Sequence, residues 1–363
     1  MTPSCGPDWP RRATGFTGRG DGETALHAYL EWGADFLTRL EGLFAIAVWD
    51  VRRQELLLSR DRLGVKAAEL LPDATGVLFG SEPKAILAHP DVDAVVDADG
   101  LRELFAHSRK PGTGVFRGMR EVVPGHALIV RRPGSREQQV LVAARAGAHR
   151  QPRHRPSPPC AACSPDAVAS HTRADAPVGA MLSGGIDSSA LSALAHRDLT
   201  AAGSGPLRTF SVNFTGYTEN FEPHPTMRST PDAPFAALAS RHIGSRHTEF
   251  LLDTAALTDP GVHTAALRSQ DAPSPLGDMD VSLLRFFARL REEGFAAVLS
   301  GETADEVFNG YFWAYDPKHS NSQTFPWVSF ESGPRTRAAG GLGTSMIDAR
   351  NCASGWDVPG HTR

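Results

Sequence analysis

Cysteine is scarce, with four in 363 residues. That is too few at this length for a disulfide framework of the kind that holds small secreted domains together. No uninterrupted apolar run approaches the roughly eighteen residues that a membrane-spanning helix needs. Neither sign of charge dominates. Lys and Arg number 37 against 41 Asp and Glu, a net charge of −4, so no global basic field draws the chain to nucleic acid or lipid. Residues 1–20 carry arginines but no apolar core of a signal peptide. These absences lead to the expectation of a cytoplasmic protein without membrane or nucleic-acid partners. What remains is an ordinary globular composition, 41% hydrophobic and 21% charged. The length predicts two domains.

One stretch organises the rest: Ala180-Met181-Leu182-Ser183-Gly184-Gly185-Ile186-Asp187-Ser188-Ser189-Ala190-Leu191. The apolar run from Pro177 to Leu182 predicts a buried strand. Leu191, Leu194 and Ala195 have the spacing of one helix face. The pattern is therefore strand, tight loop, helix. Gly184 and Gly185 let the backbone turn sharply and approach a ligand closely. Loop N–H groups and the helix N-terminus favour an anion, and Ser183, Ser188 and Ser189 add hydroxyl donors. Asp187 would repel a bare phosphate, so a divalent cation is expected to bridge them. No Lys follows the glycines, which excludes a GxxxxGK[ST] P-loop. An ordinary strand-to-helix turn is the plain alternative. The S-G-G-x-D-S-S pattern resembles the pyrophosphate loop of the ATP pyrophosphatases. That resemblance implies cleavage of ATP between its α and β phosphates, with adenylation of a substrate.

A second cluster lies at Ser300-Gly301-Glu302-Thr303-Ala304-Asp305-Glu306-Val307-Phe308-Asn309-Gly310-Tyr311, directly after the apolar run Phe295–Leu299. Asp305 and Glu306 would suit the charged first turn of any helix. Glu302 and Asp305, spaced i and i+3, would face one way, and two like charges aimed at one place call for a cation. A Mg²⁺ shared with Asp187 and ATP phosphates meets that need. Strands and helices alternate from residue 174 onward, which predicts a doubly wound parallel sheet with its ligand at the strand carboxyl ends. Three such ends, at Leu182-Ser183, Ser211-Val212 and Leu299-Ser300-Gly301, are expected to converge.

This second run resembles the S-G-E-G-A-D-E-L-F-x-G-Y motif of the glutamine-dependent asparagine synthetases and of β-lactam synthetase, with Thr303 and Asn309 as departures. The first part of the chain also resembles the asparagine synthetases. The resembling stretches are Gly20-Asp21-Gly22-Glu23, Leu43–Asp50, Arg60-Asp61-Arg62-Leu63-Gly64-Val65-Lys66, Ser81-Glu82-Pro83-Lys84-Ala85 and Val123-Pro124-Gly125-His126. The resemblance implies a partial glutaminase sandwich of the N-terminal-nucleophile type, followed by the ATP pyrophosphatase domain. Ser183, Gly184, Gly185, Asp187, Ser188 and Ser189 would hold pyrophosphate. Leu182, Val212, Ser300 and Gly301 would surround the adenosine. Asp187 and Asp305 would hold Mg²⁺. Glu302 and Asp187 would be the catalytic residues, and Asp21 would contact glutamine. The implied small molecules are ATP, aspartate and ammonia or glutamine, and a homodimer is admitted.

The family nucleophile is a Cys exposed as the first residue, whereas this chain reads Met1-Thr2, with Cys5-Gly6 out of context. Such a mechanism needs the free α-amine beside the thiol. The expectation is a glutaminase half that does not hydrolyse glutamine. The expected division is 1–19 disordered, 20–130 glutaminase-like, 131–173 a low-order linker, 174–330 a truncated synthetase domain and 331–363 a disordered tail. A zinc role for Cys160-x-x-Cys163 is not expected, because no second pair matches it. Two rivals stand beside an asparagine synthetase: a β-lactam synthetase-like amide former, and a truncated relative that only binds nucleotide.

Overall fold

The structure, a computed structural model, describes residues 20–73, 76–105, 110–131, 138–141, 158–172, 174, 176–223, 229–272, 278–308, 310–311 and 315–317. The readings placed on 1–19 and 331–363 lie outside them. Two compact units form. The first takes in residues up to Val178, Arg197–Ser204 and Leu251–Ala296; the second takes in Gly179–His196, Gly205–Phe250 and the chain from Ala297.

In the first unit, α1 (Asp21–Trp32) leads through a 3-10 turn (Gly33–Arg39) into the hairpin β1 (Ala45–Asp50) and β2 (Glu55–Arg60). Then come β3 (Glu69–Pro72), β4 (Val77–Gly80), α2 (Pro83–Leu87), α3 (Ala98–Phe105), β5 (Arg120–Glu121), β6 (His126–Arg131), β7 (Gln138–Leu141) and α4 (Pro158–Thr172). One antiparallel sheet has the order β1-β2-β6-β7 and another the order β4-β3-β5.

The side chains of β2 explain the layering. Leu57 points with Ala127 and Ile129 into a core shared with Ala25, Ala28, Phe36 and Leu37. Its neighbours Leu56 and Leu58 point the other way, into a core with Leu70 and Val122 of the second sheet. Successive strand residues face opposite sides, so an unbroken Leu56-Leu57-Leu58 run belongs to a strand covered on both faces. Beyond the second sheet, α2 packs on β3 and β4 and buries Ile86. The order is helix, sheet, sheet, helix, a four-layer sandwich.

The loop after β2 is held by two buried charges. Asp61, 1% exposed, accepts from the amides of Leu63, Val65 and Lys66 at 3.2, 3.0 and 2.9 Å. Arg60 donates to the carbonyls of Lys66 and Gly64 and pairs with Glu121. This loop is scaffold: Asp61 is spent on the loop's own backbone, and Arg60 ties the loop to Glu121.

The stretch expected as a low-order linker carries two regular elements, β7 and α4. The alanines after Pro158 favour a helix and Pro158 and Pro159 sit in its first turn, where Pro is tolerated, while Pro165 lies inside the helix against that preference. Cys160 and Cys163 fall within α4, and their side chains lie outside the described residues. The four-residue strand β3 was not foreseen.

The second unit holds β8 (Gly179–Met181), most of α5 (Ile186–Ala201), β9 (Arg208–Phe214), α6 (Ala233–Ile243) and most of β10 (Arg246–Leu252). The chain then passes through α7 (Thr254–Thr258), α8 (Pro260–Gln270) and α9 (Asp278–Glu292), all in the first unit, before β11 (Val298–Leu299) and α10 (Ala304–Phe308). The sheet order is β10-β9-β8-β11. β8 pairs in parallel with β9 and with β11. On β9 and β10, Thr209 and Ser211 meet His247 while Asn213 meets Glu249, so these strands also run the same way. Order 3-2-1-4 reverses between β8 and β11, the place where open parallel sheets bind ligands. The apolar run Phe295–Leu299 contributes only its last two residues to the sheet; Phe295 is buried ahead of it. Among the described residues no helix is long and apolar enough to cross a membrane.

Candidate functional site

Both sequence motifs leave the sheet at this reversal point. The loop Leu182–Ile186 follows β8. Leu182 is buried, and its N–H donates to Phe210 O at 2.8 Å, extending the β8–β9 ladder by one bond. The loop then departs. Ser188 in the first turn of α5 closes it: Ser188 Oγ accepts from Ser183 N at 3.3 Å, lies 3.1 Å from Ser183 Oγ and donates to Gly185 O at 3.3 Å. Gly184 has φ +85°, and a Cβ there would lie 2.4 Å from the carbonyl carbon of Phe235 and 2.5 Å from Ala236 N. Glycine at 184 is thus demanded twice, by conformation and by the first turn of α6 against it. Gly185 faces open space apart from Ser183. The result is an exposed loop at the start of a sixteen-residue helix, an arrangement that favours an anion.

The second motif meets the first at Gly301. A Cβ on Gly301 would lie 3.1 Å from Ser188 N and 3.2–3.3 Å from Asp187 atoms. Ser300 Oγ accepts from Glu302 N at 3.2 Å, and Ala304 N donates to Gly301 O at 3.0 Å, so a tight turn starts α10. Glu302 sits in that turn, exposed and ahead of the helix, while Asp305 is half-buried inside it. Glu302 thus precedes α10, which begins at Ala304, and Asp305 lies within it. Asp305 Oδ1 rests on Gly310, where a Cβ would come within 1.9 Å. Among the described residues the carboxylates of Asp187, Glu302 and Asp305 have no hydrogen-bond or ion-pair partner. Uncommitted acidic oxygens of this kind are suited to Mg²⁺. No group of three metal-ligating side chains is gathered among the described residues, so phosphate oxygens and water would complete such a shell.

The remaining expected residues are placed less directly. Val212 lies half-buried near the carboxyl end of β9. The Ser189 hydroxyl oxygen is shielded from solvent and has no partner among the described residues, unlike those of Ser183 and Ser188. Asp21 opens α1 in the first unit.

Sequence reasoning missed two supports. One is the packing of Phe235-Ala236 against Gly184: a helix over Asp232–His242 is expected from its amphipathic pattern, but not its contact with the loop. The other, on the amino-terminal halves of β9 and β10, is a half-buried polar chain that steadies those strands rather than lining the site. His247 Nδ1 lies 3.1 Å from Thr209 Oγ1 and its Nε2 3.1 Å from Ser211 Oγ. Thr209 Oγ1 continues to Ser245 Oγ at 3.0 Å, and Ser245 Oγ donates to Ser240 Oγ at 3.0 Å. Burial pushes the His247 pKa down, against an opposing pull from Glu249.

Residues 165–356 match the family described as Asparagine synthase, and residues 8–140 match a Glutamine amidotransferase domain. Asparagine synthetase [glutamine-hydrolyzing] 3 of Bacillus subtilis is 37% identical over 316 residues, 85% of this chain and 49% of its own length. A Mycobacterium tuberculosis relative, provisionally named an asparagine synthetase [glutamine-hydrolyzing], is 32% identical over 82% of this chain and 44% of its own. Amidase chry2 of Gibberella zeae is 28% identical over the same shares. The chain thus spans about half the length of the curated relatives it matches.

Proposed function

The chain belongs to the asparagine synthase family, and from that premise we propose that its parallel sheet carries an adenylating site that activates aspartate with ATP and amidates it with ammonia. The observation that carries this reading is the meeting of the two motifs at Gly301, 3.1 Å from Ser188 N for a would-be Cβ, at the sheet's reversal point.

In this reading the Ser183–Ser188 loop and the α5 N-terminus hold the β and γ phosphates. Leu182, Val212, Ser300 and Gly301 border the adenosine through backbone and shape, and Ser189 backs the loop from within α5. An aspartate side-chain oxygen attacks the α-phosphorus, the bond to the bridging oxygen breaks, and pyrophosphate leaves. Ammonia then attacks the acyl carbon, Glu302 takes the proton that nitrogen sheds, and AMP departs with its oxygen. Asp187 and Asp305 would hold Mg²⁺, which supplies neutralisation of the departing pyrophosphate charge. The chain's own contribution is placement and charge, the usual share of a protein in phosphoryl transfer. Ammonia comes free or from glutamine through the first unit, where Asp21 would contact that substrate.

The test is incubation with Mg·ATP and aspartate, once with ammonium and once with glutamine, following pyrophosphate and AMP. Product with ammonium alone supports the site and the expectation that the glutaminase half is silent. Product with glutamine supports the site and overturns that expectation. No pyrophosphate in either, despite a Mg·ATP-dependent rise in melting temperature, sinks the synthetase reading and leaves a nucleotide binder.

A further inference from the structure

Helix α2 starts without a cap of its own. Glu82 holds the N-cap position, yet its side chain makes no capping bond. The first-turn amide of Lys84 donates instead to Asp271 Oδ2 at 2.9 Å, across 187 residues of sequence. Lys84 Nζ lies 3.1 Å from the other oxygen of the same carboxylate, and 2.6 Å from Glu82. One carboxylate thus satisfies both an orphan helix amide and an ammonium. The Asp271 side chain is 7% exposed, so it is committed to this contact rather than to water.

The backbone of Asp271 makes the contact telling. It closes α8 in the left-handed region, at φ 60° and ψ 0°. Helices that end this way commonly do so on glycine, which has no Cβ to crowd the following carbonyl. That is what happens after α6, where Gly244 takes φ 82°. At the end of α8 the chain keeps an acidic side chain where glycine would sit without strain, and the side chain reaches another helix. Asp tolerates this conformation better than most residues, which makes it the residue able to do both jobs.

We infer that Asp271 and Lys84 form an internal latch that fastens the helical crossover α7–α9 to the outer helix α2 of the sandwich. This crossover joins β10 to β11 and so leads by chain continuity into Ser300, Gly301 and Glu302. The latch is built from residues that the adenylation chemistry does not use, and it stands whether or not that reading holds. The interaction of Lys84 with Glu82, joined by that with Asp271, also keeps its pKa above the ordinary lysine value.

Four variants test it: Asp271→Gly, Asp271→Asn, Lys84→Met, and Asp271→Asn combined with Lys84→Met. A residue that merely ends α8 would be replaced by glycine with an unchanged or higher melting temperature, since the backbone strain is relieved. The latch predicts the opposite: Asp271→Gly melts lower, and the amides of α2 exchange hydrogen faster. Lys84→Met, half-exposed and harmless to folding, should lower the melting temperature by itself. In the combined variant the second change should cost less than it does alone, the mark of two residues in one interaction. An Asp271→Gly protein as stable as the parent with α2 exchange unchanged, or strict additivity in the pair, overturns the proposal.

Discussion

Gly184 lies with its Cα against the backbone of Phe235, so close that a Cβ would stand 2.4 Å from the Phe235 carbonyl carbon. The Ser183–Ile186 loop is therefore shaped by α6 as well as by its own glycines. Gly184→Ala should cost about 1–2 kcal/mol from the positive φ alone, with the backbone clash in addition. The expected result is a folded protein of lower melting temperature that no longer gains stability from Mg·ATP. Thermal unfolding with and without nucleotide checks this, and an intact nucleotide shift would show that the loop is not the cradle.

Gly301 makes the gentler contact, 3.1–3.3 Å from Ser188 and Asp187 for a built Cβ. Its neighbours must yield by a few tenths of an ångström. Gly301→Ala should cost about 1–3 kcal/mol as a small overpacking and weaken ATP binding by less than Gly184→Ala does. Calorimetric titration of both variants ranks them, and the reverse order would place the nucleotide away from the junction of the motifs.

Asp187 and Glu302 have no partner among the described residues, so neutral replacements should move stability by no more than about 0.5 kcal/mol. Their kinetic signatures should differ. Asp187→Asn is expected to lose pyrophosphate release, because charge neutralisation of the leaving group fails. Glu302→Gln should still adenylate but form amide about 10²- to 10⁴-fold more slowly, the usual loss for a general base. Separate assays of pyrophosphate and asparagine distinguish the two, and equal losses in both assays for Glu302→Gln would remove its assigned role.

His247 gives the second unit a pH dependence. Its ring lies between Thr209 and Ser211, its burial disfavours the charged form, and Glu249 is the acidic group that opposes this. A histidine with a depressed folded pKa binds its proton more readily when unfolded. Its contribution to stability is present above the unfolded value of about 6.5 and is lost as pH falls through the lower folded value. Urea midpoints measured downward through that window should drop, and His247→Gln should flatten the drop. An equally steep decline in the variant would assign the effect to other groups.

Deleting the Asp61 carboxylate should be costly. It is 1% exposed and accepts three backbone amides, which Asp61→Ala would leave without their acceptor. Each unmet buried donor costs about 1–3 kcal/mol. The first unit should melt well below the parent, while Mg·ATP still stabilises the second; a parental melting temperature would contradict the scaffold role of this loop.

Much of the fold and both halves of the site were legible in order along the chain, for local reasons. Leu56-Leu57-Leu58 announces a strand covered on both faces, and Ser183–Ser189 announces strand, turn and helix, because period and glycine placement act within a few residues. The meeting of Gly301 with Ser188 followed from alternation of strands and helices, which prescribes parallel order but no distances. Other features were not legible. β3 is four residues ending in Pro72, too short to show a period, and its partners come from Val77–Gly80 and Arg120–Glu121. The i and i+3 spacing of Glu302 and Asp305 did not reveal that Glu302 lies in a turn ahead of α10. The pressure of Phe235 on Gly184, the His247 chain and the reach of Asp271 to Lys84 join residues far apart in sequence. The amino-acid sequence by itself determined the elements and the two motifs, since propensity, periodicity and turn chemistry are local. Only the tertiary structure decided which glycine tolerates nothing larger, which histidine is buried and which acid caps another helix, because packing and desolvation depend on neighbours that the chain brings together only on folding.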